Sequence, residues 1–289
     1  MKTILITGAN GQLGLEMQKA LADTQFEVIA AGHSTLDISD SNAVEQFFAE
    51  HNIDYLINCA AYTAVDKAED ESINSYAINA EAVATLAAAA HAHKTKMVHV
   101  STDYVFDGNS CCPYCETDEP NPQSTYGNTK LQGEQMMLAV APDGIIIRTA
   151  WLYSPHGHNF VKTMLKLGRE RESLKVVCDQ VGTPTYAFDL AVAIKQIITN
   201  GKWVPGIYHY SDEGAISWYD FTKSIHRIAG IKDCHVAPCM SSEYPTKATR
   251  PHYSVLNKSK IKTTFNIEIP YWEDSLCDCI NRLNELKEE

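Results

Sequence analysis

Thr3-Ile4-Leu5-Ile6-Thr7-Gly8-Ala9-Asn10-Gly11-Gln12-Leu13-Gly14 begins as a short β-branched apolar run and breaks into three glycines spaced GxxGxxG. The run Thr3–Thr7 reads as a strand and the pattern Gln12–Asp23 as a helix, which leaves the glycines as the turn between them. Gly8 permits a tight turn, Gly11 lets backbone amides approach a pyrophosphate with no Cβ in the way, and Gly14 allows helix and strand to close up. The helix N-terminus adds unsatisfied N–H groups and a partial positive charge for that anion. Tight turns use the same residues, so the triplet alone is weak. Its place between a strand and a helix is what turns it into a dinucleotide-binding loop.

Working outward, strands are expected at Glu27–Ala31, Tyr55–Cys59, Met97–Ser101 and Gly144–Thr149, and helices at Ser41–His51, Ser72–His93 and Tyr126–Val140. Strands such as YLINC, MVHVS and GIIIR are apolar on both faces, as strands covered by helices on both sides should be. The alternation predicts an α/β chain with a Rossmann-type doubly wound parallel sheet. Residues 1–150 are expected to form the dinucleotide-binding domain. Beyond 150 the rhythm loosens into helical pieces separated by Val181-Gly182-Thr183-Pro184 and Val204-Pro205-Gly206. Residues 151–289 are read as a smaller C-terminal α/β substrate-binding lobe, with the chain free to cross between lobes more than once and a cleft between them.

Composition excludes several classes. With 24 Lys+Arg against 36 Asp+Glu the formal charge is −12, which repels a phosphate-rich polymer, so no nucleic-acid partner is expected. Nine cysteines, an odd number, give no disulfide framework, and Cys112-Pro-Tyr-Cys115 is a lone CxxC, so no metal site is assigned. The N-terminus lacks the apolar length of a signal peptide, and Ala82–Ala90 is too short to span a bilayer. A cytoplasmic protein without a membrane partner is expected.

After the second strand the chain reads Gly32-His33-Ser34, with no acidic residue for a ribose 2′-OH and no Arg for a 2′-phosphate. NADPH is the expected cofactor, with NADH left open. Asp37-Ile38 is placed beside the adenine, or else Asp37 is a loop residue capping the helix at Ser41. Tyr126 and Lys130, four apart at the start of a helix, share one face. An ammonium at ~4 Å in an effective dielectric of ~20 is worth ~4 kcal/mol, about three pKa units, enough to bring a phenol toward neutral proton exchange. A lone YxxxK is commonly a solvated helix face. Ser101-Thr102 changes that reading, because it ends a strand at the sheet edge where such folds place ligands and offers a hydroxyl beside Tyr126.

The glycine loop, the strand-end hydroxyl and YxxxK together resemble the extended short-chain dehydrogenase/reductases. Within them, the chain resembles the dTDP-4-dehydrorhamnose reductases. Asn58-Cys59-Ala60-Ala61-Tyr62-Thr63-Ala64-Val65-Asp66-Lys67-Ala68-Glu69, Ser101-Thr102-Asp103-Tyr104-Val105-Phe106 and Tyr126-Gly127-Asn128-Thr129-Lys130 carry that likeness. So do Arg148-Thr149-Ala150-Trp151, Asp179-Gln180-Val181-Gly182-Thr183-Pro184-Thr185 and Arg250-Pro251-His252-Tyr253-Ser254-Val255-Leu256-Asn257.

The resemblance implies reduction of a keto-sugar nucleotide, with Thr102, Tyr126 and Lys130 as catalytic trio. It places Gly8, Gly11, Gln12, Leu13, Gly14, Asp37, Ile38, Ala61, Tyr62, Thr63, Tyr126 and Lys130 against the cofactor. Thr102, Asp103 and Trp151 are placed against a dTDP-sugar; Trp151 would be a stacking surface and Arg250 a fork on the diphosphate. Some members are dimers bridged by Mg²⁺ on glutamates. Glu16 fits one ligand position, but Phe188 stands where a carboxylate is needed, so the bridge is not expected and a monomer or weak homodimer is. The alternatives are another sugar-nucleotide reductase or epimerase of the same superfamily, or a non-catalytic dinucleotide-binding regulatory subunit resembling the β subunit of methionine adenosyltransferase.

Overall fold

The structure, a computed structural model, describes residues 1–288. In chain order the first half runs β1 (Thr3–Thr7), α1 (Gln12–Leu21), β2 (Glu27–Ala31), α2 (Ser41–Glu50), β3 (Tyr55–Asn58), α3 (Val65–Ala68), α4 (Ser72–Tyr76), α5 (Ala82–Ala92), β4 (Lys96–Thr102), α6 (Thr125–Val140) and β5 (Ile145–Thr149). Then come β6 (Leu152–Tyr153), α7 (Phe160–Glu170), β7 (Ser173–Val177), β8 (Val181–Gly182), β9 (Thr185–Tyr186), α8 (Ala187–Thr199), β10 (Gly206–His209), β11 (Ile216–Ser217), α9 (Trp218–Ile228), β12 (His235–Cys239), α10 (Ser259–Phe265) and α11 (Trp272–Glu288).

The main sheet has six parallel strands in the order β10-β5-β4-β3-β1-β2. Its two faces are legible in alternation along each strand. Ile4, Ile6, Ile57, Val98, Ile145 and Ile147 pack on one side with residues of α1 and α8. Leu5, Leu56, Met97 and Ile146 pack on the other with α2, α5 and α6. In α5 the buried Ala82, Ala87, Ala89 and Ala90 are small enough to let that helix lie close to its neighbours. The edge strand β2 is only partly covered, with Glu27 and Ala30 exposed. The sixth strand, β10, arrives from residues 206–209, after the chain has already begun the second lobe. That lobe pairs β7 with β12, β6 with β9 and β8 with β11, and packs α7, α9 and α11 around Val161, Leu165, Phe221, Ile225, Leu276 and Ile280.

One local departure from the expected elements bears on the site. The helix read as continuous over Ser72–His93 is interrupted by a π turn at Ala77–Glu81. The extra residue turns Asn79 inward, where its Oδ1 accepts from Tyr62 N at 2.9 Å and its Nδ2 donates to Tyr62 O at 3.1 Å and to Thr129 Oγ1 at 3.2 Å. Gly133 on α6 makes room: a Cβ there would sit 2.0 Å from Asn79 O. Among the described residues no helix is long and apolar enough to cross a membrane.

Candidate active site

The glycine loop is held by close backbone contacts and by Gln18 Nε2, which donates to Ala9 O at 2.8 Å. Gly8 has φ +65°, and a Cβ on it would meet Ala60 backbone atoms at 2.6 and 2.7 Å. Gly14 would drive a Cβ to 2.3 Å from Gly8 O, whereas Gly11 is looser, with Gly8 O at 3.2 Å. Gly11 offers no side-chain cap to α1, so the first-turn amides at Gln12, Leu13 and Gly14 keep their N–H groups for an anion. The close approach of Gly8 to Ala60 also brings the loop beside the segment Ala61, Tyr62 and Thr63, where Asn79 grips the Tyr62 backbone. The residues of this end therefore suit a dinucleotide pyrophosphate.

Beyond β2, His33 is exposed and no acidic residue occupies Gly32-His33-Ser34. Asp37 accepts from Ser39 N at 3.0 Å and Ser39 Oγ at 2.6 Å, which holds its carboxyl below the usual value. The helix at Ser41 is capped by Asp40, so the capping alternative for Asp37 does not hold. Ile38 is buried in the α2/α5 core.

Thr102 ends β4 and lies where α6 begins. Gly127, in the first turn of α6, is packed so closely on the 103–105 turn that a Cβ would come within 2.2 Å of Tyr104 O. The same turn is pinned by Ser124 Oγ on Gly127 N at 3.1 Å and by Glu69, whose carboxylate accepts from Thr125 N at 2.9 Å and Thr125 Oγ1 at 2.7 Å. This docking sets the Tyr126 phenol near the Thr102 hydroxyl, which lowers its proton affinity. Tyr104 meets Tyr126 edge to face, with ring centroids 5.5 Å apart. One turn on, Lys130 is 1% exposed, donates to Val100 O at 2.7 Å and lies 3.3 Å from His99 Nε2.

The electrostatics differ from the expectation. Burial pushes the Tyr126 phenol above its ordinary value, and the group that pulls it down is the nearby Thr102 hydroxyl and not Lys130. The lysine spends its nearest contacts on Val100 and His99 instead. Its own proton affinity is lowered by burial to about 8.

On the substrate side, Asp103 is buried and accepts from Thr102 Oγ1 at 3.0 Å; burial pushes its carboxyl up to about 6, and its Oδ2 has no partner among the described residues. Trp151 adopts φ +47°, a strained conformation for a bulky residue. Its indole stacks on Trp218 at 3.5 Å, and a Cβ on Gly182 would strike it at 2.7 Å, which accounts for that glycine. The aromatic surface is therefore a Trp151–Trp218 pair. Arg250 is half-buried, and its guanidinium donates to Asp66 Oδ2 at 2.6 Å and to Tyr104 OH at 3.2 Å. In this arrangement it braces Tyr104 behind Tyr126 and is not a free fork.

Three positioning side chains escaped the sequence reading: Asn58, His99 and Asn79. A histidine inside the apolar run MVHVS was the available signal for the second. The Mg²⁺ bridge also finds no fit. Glu16 is fully buried, and its carboxylate is taken by Arg282 Nη1 at 3.0 and 3.2 Å, with Phe188 alongside.

The comparisons agree with this geometry. A family model described as the RmlD substrate binding domain matches residues 1–285. A protein of Aggregatibacter actinomycetemcomitans named dTDP-4-dehydrorhamnose reductase is 42% identical over 96% of this chain and 97% of its own length. A crystal structure of a dTDP-4-dehydrorhamnose reductase from Clostridium acetobutylicum superposes with a TM-score of 0.94 at 48% identity, covering 98% of this chain and 99% of that one. The Bacillus anthracis dTDP-4-dehydrorhamnose reductase, solved in complex with NADP, gives a TM-score of 0.94 at 39% identity, with 98% and 100% covered. The chain belongs to the RmlD substrate binding domain family, among the dTDP-4-dehydrorhamnose reductases of the extended short-chain dehydrogenase/reductase fold.

Proposed function

We propose that the chain reduces the C4 ketone of dTDP-4-dehydro-L-rhamnose to dTDP-L-rhamnose, a precursor of surface polysaccharide, with NADPH as reductant. One observation supports this most: the Tyr126 phenol and the Thr102 hydroxyl come together at the same sheet edge that carries the glycine loop, near enough for the hydroxyl to lower the proton affinity of the phenol. When bound, the dinucleotide supplies the hydride for C4. Tyr126 holds the proton that the developing C4 alkoxide takes up, Thr102 aligns the carbonyl oxygen, and Lys130 sits one turn behind to hold the ribose and manage proton charge. Gly8, Gly11, Gln12, Leu13 and Gly14 offer backbone amides and close approach to the pyrophosphate. Asp103 and the Trp151–Trp218 surface line the sugar side, and Arg250 steadies Tyr104. We assign the monomer or weak homodimer as working state, because Arg282 already neutralises Glu16 within one chain. A cytoplasmic setting fits nine cysteines that are all unpaired.

The test is direct. Purified protein, NADPH and dTDP-4-dehydro-L-rhamnose should give loss of the reduced-nicotinamide absorbance and dTDP-L-rhamnose as product. No loss of absorbance would favour a non-catalytic binding role, and loss only with other keto-sugar nucleotides would favour a relative of different specificity.

A further inference from the structure

What Lys130 meets at the sheet edge is decided two strands away. Thr7, Asn58 and His99 occupy one level across β1, β3 and β4, paired as Thr7↔Asn58 and Asn58↔His99. Asn58 Oδ1 accepts from the Ala60 main-chain N–H at 3.1 Å and from the Thr7 hydroxyl at 2.7 Å. A backbone N–H can only donate, so this orientation of the amide is fixed, and Asn58 Nδ2 must be the atom that faces His99 Nδ1 at 3.0 Å. An amide N–H donates too, which makes Nδ1 the bare ring nitrogen. The ring is fully buried, and burial pushes its proton affinity well down, so it is neutral and carries its hydrogen on Nε2. That N–H faces the Lys130 nitrogen at 3.3 Å.

An ammonium has donors only, and two donors facing each other repel; an amine has a lone pair to offer. We infer that His99 is a positioning residue for Lys130: fixed by Asn58 as the Nε2–H tautomer, it donates into the lysine lone pair and favours the neutral amine, which in turn donates to Val100 O. The inference rests on Lys130 belonging to the catalytic trio, and it deepens that reading. The other titratable groups acting on Lys130 are Glu134 on its own helix and Cys59 after β3, both of which favour the ammonium. Glu134 is largely spent on Arg148, which grips it through Nε at 3.0 and 3.2 Å and Nη2 at 2.7 Å. Amine and ammonium forms therefore exchange close to neutrality, and His99 sets the balance.

The experiment is nuclear magnetic resonance on the full chain labelled with ¹⁵N-histidine and ¹³Cε-lysine, Lys130 and His99 being assigned by their loss in Lys130→Met and His99→Gln. Nε2 should be the protonated nitrogen of His99 and Nδ1 the bare one, and Lys130 should titrate well below surface lysines. Both His99→Gln, whose amide can turn its oxygen to the amine, and Asn58→Asp, which draws the ring hydrogen to Nδ1, should raise the Lys130 midpoint by about one pH unit. The limb of kcat/KM that reports Lys130 should move with it while dinucleotide affinity holds. A ring protonated on Nδ1, a Lys130 that titrates like a surface lysine, or a midpoint unmoved in both folded variants would overturn the inference. If either variant fails to fold, the tautomer in the unmodified protein decides. A protein that shows this tautomer but no NADPH oxidation would sink the reductase reading and leave the histidine–lysine contact intact.

Discussion

At the top of the main sheet Thr7, Asn58, His99 and Lys130 form a series in which each hydrogen bond fixes the next, and the series ends beside the half-buried Tyr126. Where the two lobes join, the polar interior is built otherwise. Asp212 Oδ2 accepts from Tyr186 N at 2.9 Å, but its Oδ1 and the nearby Tyr153 hydroxyl have no partner among the described residues. Burial pushes the Asp212 carboxyl well above its ordinary value and Asp189 up to about 6, so the acids of the junction lean toward neutrality. The charges there are paired: Glu16 with Arg282, and Lys258, which donates to Asp212 O, with Glu213. A chain of matched donors and acceptors can tune a proton at a reacting edge; a junction of acids that resist ionising and closed ion pairs can only hold surfaces together.

The largest effect should come from the reacting edge. Tyr126→Phe removes the proton donor and should lower turnover by ~10²–10⁴ with little change in dinucleotide affinity, read by steady-state kinetics and a fluorescence titration. Unchanged turnover would take Tyr126 out of its proposed role and leave the edge no different from the junction. The junction should respond in stability instead. Arg282→Met strands the fully buried Glu16 and should cost about 3–5 kcal/mol in urea unfolding, as loss of one partner of a buried pair does, with kcat per folded molecule preserved.

The glycine loop allows a finer division. Gly14→Ala should lower the melting temperature by several degrees, since its Cβ meets main chain at 2.3 Å. Gly11→Ala, with only Gly8 O at 3.2 Å, should leave stability nearly unchanged and weaken the dinucleotide alone. Equal effects of the two on stability would blur a division between packing and ligand approach. The smallest effect is a pH dependence. A carboxyl whose folded proton affinity is raised lends stability below its unfolded value, near 3.8 for Asp212, and loses it as pH rises toward the folded value. Asp212→Asn cannot ionise, so it should gain on the parent protein as pH is raised from 4 to 8 in parallel melts. A constant difference would mean that the acid is charged in place.

The sequence carried the reacting edge better than the junction, for a physical reason. GxxGxxG and YxxxK are local patterns whose spacing already implies geometry, and the strand MVHVS ends where a doubly wound sheet must place its ligand. The electrostatic partner of Lys130 was not legible, because His99 becomes its neighbour only when α6 docks on β4. The π turn at Ala77–Glu81 was hidden for a similar cause: Asn79 is drawn inward by Tyr62 and Thr129, and an alanine-rich stretch gives no sign of that pull. Glu16 and Arg282 stand 266 residues apart, and neither belongs to a pattern that would announce the other.

The late arrival of β10 governs how this molecule can be made or cut. Until residue 209 has left the ribosome, β5 presents a bare row of amides and carbonyls on a highly apolar strand, a template for unwanted pairing. The chain therefore has no safe stopping place near its midpoint, and expressing its two halves separately should yield aggregates and not modules.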